Sequence, residues 1–256
     1  MARNAVITGS TSGIGLGIAT AFAQQGYNII FNGLETNGAE IAAEIGEKYN
    51  IKTAFKNANL LTPEGVQELI DFAYSELGSV DILVNNAGIQ YVSKIEDFPI
   101  EKYQQIIALN MNSAFYSSRA VFAKMKEQKF GRIINVSSVH GLRASEFKSA
   151  YVTAKHGVIG LTKVLALEGA PYNITCNAVC PGYVKTPLVE GQIKDQAKTH
   201  GMSEDEVVEK VMLKKQAVKS FVPVEKIGEI CVFLASDNAT SVSGTSFTLD
   251  GGWTAQ

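Results

Sequence analysis

Residues 5–17 read A-V-I-T-G-S-T-S-G-I-G-L-G, a short apolar run followed by a turn that contains four glycines. Residues 18–25 then have the composition of a helix. A strand, a glycine turn and a helix in this order form a crevice for phosphate, because the glycines let backbone approach the ligand and the helix N-terminus offers N–H groups. The spacing is G-x-x-x-G-x-G instead of the common G-x-G-x-x-G, so a glycine-rich turn without a ligand is the alternative interpretation.

Apolar strands and amphipathic helices alternate along the whole chain. Strands are predicted at residues 5–8, 27–32, 51–56, 80–84, 131–137, 173–179 and 245–249, and helices at 18–25, 36–49, from 63 onward, 99–129, 149–170 and 224–234. Thr62 is the predicted capping residue of the helix that begins at Pro63. This alternation predicts an α/β fold, a doubly wound parallel sheet of about seven strands with helices on both faces.

The segment of about 187–222 differs from the rest of the chain because it is polar and charged. Ser203 and Glu206 form a capping box that begins a helix within it. A long insertion after the carboxyl end of a strand suits a helical lid over a substrate. We expect a single domain over residues 1–256 that carries this lid.

The overall charge of the chain is close to zero. Its 256 residues include 23 basic and 25 acidic side chains, a net charge of −2, which gives no general attraction for nucleic acid or an anionic membrane. Neither a signal peptide nor a spanning segment is visible, so a cytoplasmic protein with a small-molecule partner is expected. Cys176, Cys180 and Cys231 have no C-x-x-C spacing and are expected to be buried free thiols, and no metal site is predicted.

Tyr151 and Lys155 are four residues apart in a segment with helical apolar spacing, so their side chains share one helix face. A neighbouring ammonium favours the phenolate, and bringing a tyrosine near neutrality requires a shift of roughly three units, or about 4 kcal/mol. Ser138 ends a predicted strand upstream, where its hydroxyl could hold a substrate oxygen. Y-x-x-x-K alone also describes an ordinary exposed pair, and it is Ser138 and the glycine turn that favour an acid–base pair.

Over nearly its whole length the chain resembles the short-chain dehydrogenase/reductase family. Residues 8–15 match T-G-x-x-x-G-x-G, residues 85–88 match N-N-A-G, and Ser138, Tyr151 and Lys155 match S…Y-x-x-x-K, while Asn110 matches the fourth member of the catalytic tetrad. The resemblance implies a single-domain Rossmann fold that binds a dinucleotide and catalyses hydride transfer.

The resemblance also implies a role for each motif residue. Tyr151 would exchange a proton with the substrate oxygen that Ser138 orients, Lys155 would lower the pKa of the tyrosine and hold the ribose, and Asn110 would order a water that links Lys155 to solvent. The implied cofactor contacts are Gly9, Thr11, Gly13, Ile14, Gly15, Leu34, Asn59, Leu60, Asn86, Ala87, Gly88, Tyr151, Lys155, Pro181, Gly182, Val184 and Thr186.

The end of the second strand bears on the choice between NAD and NADP. An acid there holds the ribose 2'-hydroxyl, whereas a basic residue neutralises a 2'-phosphate. Residues 32–35, N-G-L-E, contain no Arg or Lys, so NAD is expected. Glu35 could reach the ribose, or could be a solvated residue at the start of the next helix. Members of the family that use NAD often carry Asp where Gly33 stands, and many carry Asp where Asn59 stands.

The loop between Ser138 and Tyr151 carries His140, Arg143 and Lys148, and this local positive excess suggests an anionic substrate. Alternatively, Arg143 is a solvated surface charge and His140 caps a turn. Several residues resemble those of family members that act on a short hydroxy acid, namely Gln90, Ser138, His140, Lys148, Tyr151, Gln192 and Trp253. The resemblance implies reversible oxidation of (R)-3-hydroxybutyrate to acetoacetate with NAD.

Three other functions remain open in the sequence. A 3-oxoacyl thioester reductase should use NADPH, a polyol dehydrogenase should prefer neutral substrates, and a non-catalytic NAD(H) sensor would not need its intact Ser138, Tyr151 and Lys155. Family members are commonly tetramers packed through the long helices, here residues 99–129 and 149–170. A homotetramer is therefore expected, with small residues at Ala150, Ala154, Gly157 and Gly160.

Overall fold

A computed structural model describes residues 2–186, 189–190, 193, 197 and 201–255, and contains one sheet of seven parallel strands. The strand order is β3-β2-β1-β4-β5-β6-β7, with every neighbouring pair parallel. The strands are β1 (Asn4–Ile7), β2 (Asn28–Gly33), β3 (Thr53–Asn57), β4 (Ile82–Asn85), β5 (Gly131–Val136), β6 (Ile174–Pro181) and β7 (Ser246–Leu249). The predicted number of strands and the parallel arrangement are confirmed.

Helices cover both faces of this sheet, as the alternation of elements predicts. They are α1 (Gly13–Gln24), α2 (Gly38–Tyr49), α3 (Pro63–Leu77), α4 (Ile100–Ile107), α5 (Ser113–Gln128), α6 (Ser149–Gly169), α7 (Glu204–Val207) and α8 (Val224–Ala235). Successive side chains of a strand point to opposite faces. Ile29 and Phe31 of β2 accordingly join the core beneath α1 and α8, and Ile30 joins the core beneath α3 and α5.

The predicted helix at 99–129 is not a regular helix throughout. A π-turn, Ala108–Asn112, separates α4 from α5. Asn110 lies in this turn with only 3% of its surface exposed, and its side chain accepts a hydrogen bond from the Ile89 N–H (2.9 Å) and donates one to the Ile89 carbonyl (2.8 Å). The π-turn thus carries a buried amide that binds the loop after β4, and such turns occur often at functional sites.

Two predicted helix caps are present. The Thr62 hydroxyl accepts from the Gly65 N–H at the start of α3, and Ser203 and Glu206 form the capping box of α7. All three cysteines are buried and free. Among the described residues, no helix is both long and apolar enough to cross a bilayer.

Candidate active site

The glycine turn between β1 and α1 has a backbone conformation that favours glycine. Gly9 and Gly13 have φ angles of +59° and +52°, in the left-handed region. A Cβ on Gly15 would overlap the Gly9 carbonyl oxygen, so the turn folds tightly against the first turn of α1. Exposed N–H groups at the start of a helix then face the space above the strand ends, which fits the pyrophosphate of a dinucleotide.

The end of β4 is tied to this turn by hydrogen bonds. The Thr8 hydroxyl accepts from the backbone N–H groups of Asn86 (2.9 Å) and Ala87 (3.0 Å). The Asn86 side-chain amide donates to the carbonyls of Thr8 and Gly9, both at 3.0 Å. The T-G and N-N-A-G motifs therefore form one rigid floor at the point where the strand order reverses, which is the usual ligand crevice of such sheets.

A cavity of about 620 Å³ lies over this floor, within the range of cofactor sites. The predicted cofactor residues that line it are Gly9, Gly13, Ile14, Gly15, Leu34, Asn59, Leu60, Asn86, Ala87, Gly88, Tyr151, Lys155 and Thr186. Gly182 and Val184 line a neighbouring smaller cavity instead. Thr11 and Pro181 line neither cavity; Thr11 reaches the larger one only through its hydrogen bond to Glu35.

Glu35 lies at the edge of the larger cavity, and its carboxylate folds back onto the glycine turn. It accepts hydrogen bonds from the Thr11 hydroxyl and from the Leu34 N–H (3.0 Å). The Thr11 hydroxyl is the main cause that lowers the pKa of this carboxyl, which keeps it ionised at neutral pH. Glu35 is both exposed to solvent and at the edge of the larger cavity, so its contact with a ribose stays a prediction.

The second cavity, of about 140 Å³, adjoins the first at Ile14, Gln90, Tyr151 and Thr186. Six of the predicted substrate residues line it, namely Gln90, Ser138, His140, Lys148, Tyr151 and Trp253. The seventh, Gln192, lies outside the described residues. Side chains from the end of β5, the start of α6 and the C-terminal turn thus converge on a small space beside the cofactor cavity.

Buried Ser138 and His140 lie beside the partly buried Tyr151 in this second cavity. The Ser138 hydroxyl accepts from the His140 backbone N–H (3.2 Å) and lies 3.4 Å from Nδ1 of the imidazole. Burial lowers the pKa of His140 to about 3, so the ring is neutral at physiological pH. Its Nε2 is buried and has no hydrogen-bond partner in the described part of the chain. A neutral imidazole with Nδ1 towards Ser138 can offer Nε2–H to a substrate.

Lys155 is buried beside Tyr151, with its Nζ 5.6 Å from the centroid of the phenol ring. The same ammonium donates to the Val136 carbonyl at 2.8 Å, and burial lowers its pKa to about 8. For the protein without a bound cofactor, the predicted lowering of the Tyr151 pKa is wrong. Burial raises that pKa, and the hydrogen bond to Ser138 offsets only part of the rise. Burial of the phenol disfavours its charged form more than its neighbours favour it.

Asn110 binds the backbone of the loop after β4 through its two hydrogen bonds to Ile89. A Cβ placed on Gly88, the last residue of N-N-A-G, would lie 3.3 Å from Oδ1 of Asn110. Asn110 therefore supports the backbone that lines the cofactor cavity, and the water that would link it to Lys155 stays a prediction.

Two residues near the smaller cavity were not identified from the sequence. Tyr183 stacks on Trp253 with ring centroids 5.8 Å apart, and Lys215 places its Nζ 5.5 Å from the Trp253 centroid. Tyr183 directly follows Pro181 and Gly182, so its position after β6 was a usable signal. Lys215 had none, because only the folding of the segment after α7 brings it near Trp253. Arg143, the third basic residue of the loop, is exposed and donates to the Thr254 carbonyl at 3.2 Å, as expected for a solvated surface charge.

Comparisons with known proteins agree with this geometry. The family model described as short chain dehydrogenase matches residues 3–197. D-beta-hydroxybutyrate dehydrogenase of Rhizobium meliloti (strain 1021) is 48% identical over 100% of both chains, and the protein of the same name from Cupriavidus necator is 46% identical over 99% of this chain and 98% of its own. Among solved structures, L-sorbose reductase from Gluconobacter frateurii, complexed with NADPH and L-sorbose, has a TM-score of 0.94 at 30% identity and covers 100% of this chain and 97% of that chain.

Proposed function

Since this chain belongs to the short-chain dehydrogenase family, and is therefore an oxidoreductase that uses a nicotinamide cofactor, we propose that it reversibly oxidises (R)-3-hydroxybutyrate to acetoacetate with NAD. The observation that carries this proposal is the small cavity that joins Tyr151 to Lys148 and His140. A volume of about 140 Å³ suits a short acid. Two relatives that match the whole chain are named for the same substrate.

The polar groups of this cavity suit a carboxylate. Burial lowers the pKa of Lys148 to about 8, so at pH 7 most molecules still carry its positive charge. A buried ammonium without full hydration gains most from a charged, hydrogen-bonding partner. The neutral His140 and the amide of Gln90 can add hydrogen bonds that need no change of charge. These three side chains would hold the carboxylate and direct the C3 hydroxyl towards Tyr151.

Tyr151 would act as the acid and base. During oxidation its phenolate takes the proton from the substrate hydroxyl, and during reduction the phenol returns that proton to the carbonyl oxygen. The Ser138 hydroxyl holds the same oxygen and stabilises the phenolate, consistent with the direction in which it moves the Tyr151 pKa. A bound nicotinamide supplies the hydride acceptor and, when oxidised, a positive charge. Lys155 would bind the adjoining ribose from the cofactor cavity.

The preference for NAD rests on Glu35. A carboxylate at the end of β2 can accept a hydrogen bond from a ribose 2'-hydroxyl and repels a 2'-phosphate. Glu35 is held at the cavity by Thr11, and its lowered pKa keeps it charged. The G. frateurii enzyme was solved with NADPH, so family membership alone leaves the choice of dinucleotide open.

Three further expectations are kept as proposals. The whole chain would form one catalytic domain in which residues 187–222 cover the substrate. The protein would act in the cytoplasm. It would be a homotetramer packed through α4, α5 and α6, where Phe115, Val164 and Leu167 have 49%, 51% and 78% of their surface exposed.

The experiment that tests the substrate compares kcat/KM for representatives of the three substrate classes. The kcat/KM for (R)-3-hydroxybutyrate with NAD should be at least about 100-fold higher than that for a polyol with NAD or for a 3-oxoacyl thioester with NADPH. A higher kcat/KM for the thioester or the polyol would reject the hydroxy-acid assignment. All three substrates are tested with the same protein preparation, so a difference between them does not come from a difference in folding.

A further inference from the structure

Two lysine side chains flank the stacked aromatic pair of the smaller cavity. The Nζ of Lys148 lies 5.7 Å from the centroid of Tyr183, and the Nζ of Lys215 lies 5.5 Å from the centroid of Trp253. The rings of Tyr183 and Trp253 are 5.8 Å apart and inclined by only 23°. One ammonium therefore lies against each ring of a single stacked pair, and both rings line the proposed substrate cavity.

The position of Lys215 is set by the residue that follows it. Gln216 is 1% exposed, and its side-chain amide donates to the carbonyls of Val218 (3.2 Å) and Ser220 (3.0 Å). Its Oε1 accepts from the backbone N–H of Tyr183 at 3.2 Å. This buried amide ties the segment that carries Lys215 to the strand end that carries Tyr183, so the exposed lysine is held beside the cavity.

The charge of Lys215 reaches groups inside the cavity. It helps to lower the pKa of Lys148, for which burial is the larger cause. It also helps to lower the pKa of His140, for which burial and the charge of Lys148 are the larger causes. Both effects show that a positive charge at this place disfavours further positive charge in the cavity. By the same electrostatic argument it favours a negative charge there.

We propose that Lys215 is a second cationic determinant of substrate specificity, which selects carboxylates over neutral compounds across the Tyr183–Trp253 pair without contacting the reacting atoms. The inference deepens the function proposed above and rests on it for the identity of the acid. Lys148 would bind the carboxylate directly, whereas Lys215 would act from the solvent side through its field. Since salt screens an exposed charge, the contribution of Lys215 to carboxylate affinity should decrease as ionic strength rises.

Trp253 is the only tryptophan in the chain, so its fluorescence reports on this cavity without any turnover. Wild-type protein is titrated with butyrate and with butyramide, which have similar shape and differ in charge. Lys215→Met should weaken butyrate binding about fivefold and leave butyramide binding unchanged. Lys215→Arg should retain wild-type affinity for both compounds. Lys214→Met removes a neighbouring exposed lysine as the matched control, and should alter neither affinity by more than about twofold.

Kinetics separates an electrostatic role from a structural one. With (R)-3-hydroxybutyrate, Lys215→Met should raise KM about fivefold and leave kcat within about twofold. The proposal is overturned if Lys215→Met weakens butyrate and butyramide binding equally, or leaves butyrate binding unchanged. It is also overturned if Lys214→Met weakens butyrate binding as much as Lys215→Met does, or if the wild-type protein does not bind butyrate. If butyrate selection follows Lys215 but (R)-3-hydroxybutyrate is not oxidised, the inferred charge selection stands and the proposed reaction is rejected.

Discussion

The carboxylate of Glu35 fills the space that a side chain at Gly33 would need. A Cβ on Gly33 would overlap Oε2 of Glu35 and the hydroxyl of Thr11. In family members that use NAD, an Asp often stands where this chain has Gly33. Here the acid comes from two residues later and folds back over the glycine, so Gly33 and Glu35 together place one carboxylate at the edge of the larger cavity, beside the end of β2.

Glu35→Gln should therefore change cofactor preference. Loss of the negative charge removes the repulsion of a 2'-phosphate, so the ratio of the NADPH to the NADH dissociation constant should decrease at least tenfold, mainly through tighter NADPH binding. Titration of nicotinamide fluorescence measures both constants. Glu40→Gln removes an exposed acid in the first turn of α2 and should leave the ratio unchanged. An unchanged ratio in Glu35→Gln would show that the choice of dinucleotide is made elsewhere.

Lys148 and Arg143 lie in the same loop, but of the two only Lys148 lines the smaller cavity. Lys148→Met should raise KM for (R)-3-hydroxybutyrate by about 100-fold, because it removes a charge-assisted hydrogen bond to the carboxylate. Arg143→Met, the matched control, loses an exposed bond to the Thr254 carbonyl and should change KM by less than about threefold. Initial-rate kinetics with each variant gives the comparison, and similar losses in both would reject the assignment of the carboxylate to Lys148.

Asn110 is expected to stabilise the cofactor site through Ile89. Asn110→Ala removes two hydrogen bonds to that backbone, which should lower the free energy of unfolding by about 1–3 kcal/mol and weaken NADH binding. Asn112→Ala, in the same π-turn, is the control and should have a smaller effect on both quantities. Urea denaturation and NADH titration of each variant decide the matter. Normal NADH affinity in Asn110→Ala would mean that the loop after β4 does not depend on this side chain.

Lys155 makes stability depend on alkaline pH. Its folded-state pKa of about 8 lies below the ordinary value of 10.5, so between these values the unfolded chain binds more protons and the free energy of unfolding rises with pH. The burial cost of the charge is fully present below about pH 8. The stability of the wild type relative to Lys155→Met should therefore rise by up to about 3 kcal/mol from pH 8 to pH 10.5. Denaturation at several pH values measures it, and a constant difference would contradict the lowered pKa.

Much of the fold was predictable because its signals are local. Alternating strands and helices predict the sheet, Thr62 and Ser203 predict helix starts, and the glycine turn predicts the crevice beside α1. The π-turn at Asn110 was not predictable, since it depends on a hydrogen bond between elements distant in sequence. A periodic pattern of apolar residues does not distinguish one long helix from two helices joined by such a turn.

The site residues that belong to sequence motifs could be predicted. Properties that depend on burial and on contacts between distant segments could not. Tyr151 and Lys155 lie together as their spacing requires, but the direction of the Tyr151 pKa follows from burial, which the sequence does not report. The sequence does not show that Glu35 accepts a hydrogen bond from Thr11, because that contact depends on how the glycine turn folds. Lys215 reaches Trp253 only through tertiary folding.

The most direct test of the proposed reaction follows a deuterium label that is transferred as deuteride. The wild-type protein is incubated with NAD and (R)-3-hydroxybutyrate deuterated at C3, and the products are identified by NMR. We predict acetoacetate together with reduced nicotinamide that carries deuterium at C4. Neither product should form when the S acid replaces the R acid, or when the protein is a Tyr151→Phe variant shown to bind NADH. If the deuterated acid is recovered unchanged with NAD while the protein binds NADH normally, oxidation of this hydroxy acid with NAD is not its reaction.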